Sequence, residues 1–249
     1  MRSAFLGVMV LMVSSLGARA ETLAEKLLAE YDGVQSVSCQ IRKDTTGPAG
    51  TVRMLSRIFY QKPDRLFVEN ATPVKRQIVS DGTNFCSYIQ GDPKGFARPV
   101  AKLDNDMAIE LRKVPGTAMD HLARLRGIAE SDLPATNGIP VRKGYDAGKV
   151  FVVLGLDPTG RLCRVEFYTA PDMKQKNGQY DYSQFQKASE RAWIPCLHRG
   201  VFRIGDVESE EVVRVDNLEL NKPIAPDNFA PGPFFKGVEF APSFEEIYR

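Results

Sequence analysis

The stretch Val52-Arg53-Met54-Leu55-Ser56-Arg57-Ile58-Phe59-Tyr60-Gln61-Lys62-Pro63-Asp64-Arg65-Leu66-Phe67-Val68 decides the fold. Up to Tyr60, apolar Val52, Met54, Ile58 and Tyr60 alternate with Arg53, Arg57 and Gln61. A period of two belongs to a strand with one dry and one wet face. Lys62-Pro63-Asp64 then makes a tight turn, because proline fixes φ and lacks a donor for the ladder. Leu66, Phe67 and Val68 open the next strand. A link this short makes the two strands antiparallel neighbours.

The same grammar extends in both directions. Upstream, Val37, Cys39 and Ile41 alternate with Ser38, Gln40 and Arg42, and Gly47-Pro48-Ala49-Gly50 forms the turn. Downstream come Ile78 and Val79, the turn pair Asp81-Gly82, and a strand over 85–89. Strands resume after Asn137-Gly138: a β-branched run over 150–156, the turn Asp157-Pro158-Thr159-Gly160, and Cys163, Val165 and Phe167 alternating with Arg164 and Glu166. Segments 180–186, 192–204 and 212–220 complete the set.

Three segments read as helices. Residues 21–31 begin with a capping box, Thr22-x-x-Glu25, and place Leu23, Leu27, Leu28 and Tyr31 on one face. Segments 105–112 and 117–128, separated by Pro115-Gly116, carry Met107, Ile109 and Leu111, then Met119, Leu122, Leu125 and Ile128. The expected architecture is mainly β (α+β), an incomplete antiparallel β-barrel of about ten to eleven strands plugged by short helices. Three helices cannot cover a flat sheet of that width, so the sheet must curl, and a half-barrel encloses a natural ligand cavity. Alternation puts Val52, Met54, Ile58, Tyr60, Leu66, Val68 and Ile78 on its wall, with Phe85 or Tyr88. Met107, Leu111, Met119 and Leu122 face them from the helices. Soft methionines on a plug suit an adaptable apolar ligand.

The N-terminus reads as a secretory signal peptide over residues 1–20. Arg2 supplies the charge, an apolar run follows, and Ala18-Arg19-Ala20 is the cleavage pattern. That run is shorter than the ~20 residues a span requires. The expected product is one domain, residues 21–249, in the periplasm, ending in a tail with Phe229, Phe234, Phe235, Phe240 and Phe244. The chain has 33 Lys and Arg against 31 Asp and Glu. Without Arg2 and Arg19 the charges balance, which argues against nucleic acid as a partner and against a polybasic membrane anchor. The four cysteines Cys39, Cys86, Cys163 and Cys196 fit no zinc or redox spacing. In an exported chain they allow two disulfides in three pairings, and at least one is expected.

Signs of catalysis are weak. His121 follows Asp120, and His198 sits two residues from Cys196, a spacing that puts both on one strand face without a third orienting group. Residues 144–149 lack the full phosphate-loop spacing. The chain is expected to be neither an enzyme nor the holder of a cofactor or metal.

Segment 58–66, Ile-Phe-Tyr-Gln-Lys-Pro-Asp-Arg-Leu, followed by Ile78-Val79-Ser80-Asp81-Gly82 and the aromatic strand through Phe85 and Tyr88, resembles the outer-membrane lipoprotein carrier family, LolA/LolB-like proteins. So does the closing segment Val215-Asp216-Asn217-Leu218-Glu219-Leu220-Asn221 with Pro223-Ile224 and Asp227-x-Phe229. The resemblance implies an incomplete barrel holding acyl chains, and a monomeric periplasmic carrier of lipid or lipidated protein that transfers cargo between membrane-anchored donor and acceptor proteins. The same fold can also serve as an envelope sensor or protein-interaction module without lipid cargo. Lys62 falls where the carriers often have an arginine at the cavity rim, which implies contact with a polar head group.

Overall fold

The structure is a computed structural model that describes residues 20–205 and 207–247. Apart from Ala20, the expected leader lies outside the described residues. Among the described residues no helix is long and apolar enough to cross a membrane.

The chain opens with helix α1, Leu23–Glu30. The Thr22 hydroxyl accepts from the Glu25 N–H and the Glu25 carboxylate accepts from the Thr22 N–H, so the capping box forms as read. Six strands follow: β1 Ser36–Gly47, β2 Gly50–Gln61, β3 Arg65–Thr72, β4 Arg76–Asp81, β5 Asn84–Ile89 and β6 Gly95–Pro99. Helices α2, Asn105–Arg112, and α3, Met119–Arg124, come next. Seven strands return: β7 Glu130–Leu133, β8 Val141–Asp146, β9 Phe151–Leu156, β10 Leu162–Tyr168, β11 Lys176–Lys187, β12 Trp193–Ile204 and β13 Val207–Leu220. A two-residue strand β14, Phe240–Ala241, lies in the tail.

All fourteen strands join one open sheet in the order β14-β6-β5-β4-β3-β2-β1-β13-β12-β11-β10-β9-β8-β7. Two antiparallel meanders, β1–β6 and β7–β13, meet where β1 pairs with β13. The meander that the loops predict is therefore present, and the barrel stays open. The sequence reading omits β6, β7, β8 and β14. These are short edge or near-edge strands, and the period-two signal needs more residues than they have. Only β14 runs parallel to its neighbour, β6.

This topology fixes where the helices go. The link from β6 to β7 starts beside one edge of the sheet and ends at the other. It must therefore cross a face, and it carries α2 and α3 with it. Leu122 of α3 and Leu125 just past its end pack with Leu27 and Leu28 of α1 against Tyr145, Leu154 and Val165 of the second meander. Leu111 of α2 packs with Phe85 and Phe96 of the first.

The other face of the first meander is also dry. Phe67, Val79 and Cys86 point away from the helices and are covered by Phe229 and Phe235 of the tail, with Phe59, Tyr88 and Phe234 beside them. The Phe-rich tail thus supplies a second layer rather than a free arm. Its end returns to β6, where the Pro242 carbonyl accepts from Arg98 Nε at 3.0 Å and Nη2 at 2.7 Å.

All four thiols are free, which corrects the expected disulfide. Cys39 on β1 and Cys196 on β12 reach one apolar cluster, but β13 lies between their strands. Two inter-strand steps amount to about 9.6 Å. A bridge needs Cα atoms within about 7 Å. Cys86 lies on β5 on the opposite face, and Cys163 on distant β10.

Candidate functional site

The inner face of the first meander is built in rungs. Strand pairing aligns Cys39, Ile58, Val68, Ile78 and Ser87 across β1 to β5. The next rung toward the β1–β2 hairpin is Ile41, Ser56, Asn70, Arg76 and Ile89. Facing these rungs, between sheet and helices, is a cavity of about 600 Å³. That is the size of a site for one drug-sized molecule. Its wall includes Phe85 of β5 and Tyr180 of β11. In a flat sheet the seven inter-strand steps between those strands would span about 34 Å. One cavity touching both requires the sheet to curl around α2 and α3.

The cavity has an apolar side and a polar side. Ile58, Leu66, Val68, Ile78, Phe85, Met107, Leu111 and Val213 make the apolar wall. Lys43, Arg76, Asp106, Glu110, Lys113, Asp120, His121, His198 and Glu211 also line it. Lys43 pairs with Glu211. Lys113 reaches Glu110 at 3.0 Å and Asp120 at 3.4 Å. Burial pushes the Asp120 carboxyl up, but Lys113 and His121 outweigh it and hold it below the usual carboxylate range. Gly116, between α2 and α3, has φ +79°, and a Cβ there would sit 2.9 Å from Val215 Cγ2. Only glycine lets this loop lie so close to the sheet.

The histidines are packed, not poised. His121 stands edge-on to Phe167, and His198 edge-on to Tyr182. Burial holds both imidazoles below their ordinary pKa. His198 Nε2 lies 3.2 Å from the Pro195 carbonyl, so it carries the proton there. The Cys196 thiol turns to the Ile194 carbonyl, and burial raises its pKa. A raised thiol pKa and a histidine turned elsewhere are the opposite of an activated nucleophile.

No protein-family model matches the chain, and no curated protein matches its sequence. Solved structures do match in shape. A LolA superfamily protein from Nitrosomonas europaea is 12% identical with a TM-score of 0.52, over 84% of this chain and 97% of that one. The chain has the LolA-like fold. A putative outer-membrane lipoprotein-sorting domain from Vibrio parahaemolyticus is 10% identical with a TM-score of 0.50, over 83% of this chain and 97% of that one. A DUF1329 family protein from Desulfovibrio piger is 13% identical with a TM-score of 0.51, over 84% and 94%.

Within this LolA-like frame the expected lining residues divide. Ile58, Leu66, Val68, Ile78, Phe85, Met107 and Leu111 line the cavity. Tyr60 is fully buried beneath it, its hydroxyl donating to the Arg112 carbonyl at 3.0 Å, because its rung lies deeper than the void. Met119 and Leu122 pack into the core against α1, because α3 docks on the second meander. Val52 and Met54 lie beyond the void, on the projecting end of the β1–β2 hairpin, where Val52 is 55% exposed. Tyr88 faces the opposite side and packs on Phe234, since Phe85 and Tyr88 are three residues apart on one strand. Lys62 is not at the rim. Its Nζ donates to the Tyr31 carbonyl at 2.8 Å and the Asp32 carbonyl at 3.3 Å, closing the end of α1. The sequence reading missed Arg76, which stands two residues before Ile78 on the same inward face; that spacing was the available signal.

Proposed function

We propose that the protein binds and carries an acyl chain, of a lipid or a lipidated protein, between membrane-anchored partners of the bacterial periplasm. The supporting observation is an apolar-walled cavity of about 600 Å³ held between a curled sheet and its own helices. An ordinary core would fill that space with side chains at crystal-like density. Each methylene moved from water to such a wall gains ~0.8 kcal/mol. A chain of about eight methylenes therefore gains ~6 kcal/mol before ordering costs. The likeness to a structure described as a lipoprotein-sorting domain agrees with this reading. The arrangement of His198 and Cys196, with the thiol pKa raised by burial and the imidazole turned to the Pro195 carbonyl, is in keeping with a binding role.

Native mass spectrometry of protein taken from its own envelope tests the proposal. The expected spectrum contains the chain plus a lipid adduct that organic solvent removes. A bare chain that also fails to take up a fluorescent fatty-acid probe would overturn it.

A further inference from the structure

The carrier reading leaves open what kind of amphiphile fits, and the polar rung beside the apolar wall bears on that. Ile58, Val68 and Ile78 form one rung, and Ser56, Asn70 and Arg76 form the next. Buried Ser56 donates to Asn70 Oδ1 at 2.7 Å, so the amide of Asn70 is held with its oxygen engaged. Arg76 Nε donates to Ser87 Oγ at 3.2 Å, which holds the guanidinium against the wall. The terminal nitrogens of Arg76 have no hydrogen-bond acceptor among the described residues.

The charges around it differ in their partnering. Lys43 is matched by Glu211, and Lys113 by Glu110 and Asp120. Asp106 is taken by Arg124 at 3.1 Å. Arg76 alone among the cations lining the cavity forms no ion pair among the described residues, with Asp92 acting on it from farther off. Burial outweighs that carboxylate and holds the guanidinium below its ordinary pKa, the mark of a cation short of a close anion.

We infer that the cavity takes a single-chain amphiphile with a carboxylate head group, the head on Arg76 and the hydrocarbon along Ile58, Val68 and Ile78. This rests on the carrier reading and adds the charge of the head. A planar guanidinium meets a carboxylate through two parallel N–H donors, and the half-buried setting strengthens the contact.

Isothermal titration of the full chain with dodecanoate and with 1-dodecanol tests it. Dodecanoate binds about tenfold tighter, the scale of one charge-assisted contact. Arg76→Gln removes that preference while 1-dodecanol still binds, and Arg76→Lys keeps part of the preference. Because 1-dodecanol binding reports an intact cavity, a misfolded variant is recognised at once. Equal binding of the two by the native chain, or a preference that survives Arg76→Gln, overturns the head-group inference and leaves the carrier reading standing. Binding of neither overturns both.

Discussion

Single residues gain their roles here from what surrounds them. Lys62 precedes a proline in a motif that suggests a rim cation, yet its ammonium closes two carbonyls at the end of α1. Lys62→Met should lower stability by about 1 kcal/mol in urea unfolding and leave lipid loading unchanged. A loading defect at native stability would return Lys62 to the site. The two histidines set a pH dependence. Burial depresses both, so the unfolded chain takes up protons first as pH falls through about 6.5. Stability is then fully present above that pH and is lost as pH falls toward the folded-state values. Urea midpoints should drop between about pH 7 and about pH 5, and His198→Gln should flatten the slope. A midpoint constant over that range would contradict buried neutral imidazoles. No sequence pattern distinguishes such histidines from ligands or bases; their packing on Phe167 and Tyr182 does.

Elements were legible in proportion to their length and amphipathicity. The twelve-residue strands β1 and β2 and the capped α1 stand out from alternation and a capping box. Four-residue β7 and two-residue β14 do not. Helix α3 is shorter than its apolar spacing suggests, because past Arg124 the backbone tightens into turns, with Leu125 N–H donating to the Leu122 carbonyl and Arg126 N–H to that of Ala123, and Gly127 takes φ +75°. Phe59 and Phe67 carried a signal that the period alone hid. Both are apolar residues on the nominally polar face, and the tail covers them. The middle strands of the first meander carry the ligand wall, so filling it should abolish binding without unfolding. Val68→Trp is expected to weaken a fluorescent fatty-acid probe at least about tenfold while changing the melting temperature little. A variant that retains probe affinity would place the ligand elsewhere.

At the scale of the molecule, one open sheet with its edges unjoined is spanned inside by the β6–β7 link and outside by the tail. The free thiols belong to this scale, since sheet order alone keeps Cys39 and Cys196 apart. Burial pushes the Cys39 thiol up to about 12, with the Cys196 charge adding to it. Alkylation at pH 8 should therefore spare Cys39 until the chain unfolds, and mass should not change on reduction. A two-dalton gain on reduction would show a disulfide. The sequence by itself determined the meander, the first helix, the direction of the alternating faces and seven residues of the apolar wall, because period and turn chemistry are local. Only the tertiary structure decided where the void ends, which face each satellite residue serves and which cation looks into it. Those depend on sheet order, curl and the path of two long crossings, which bring together groups far apart in the chain.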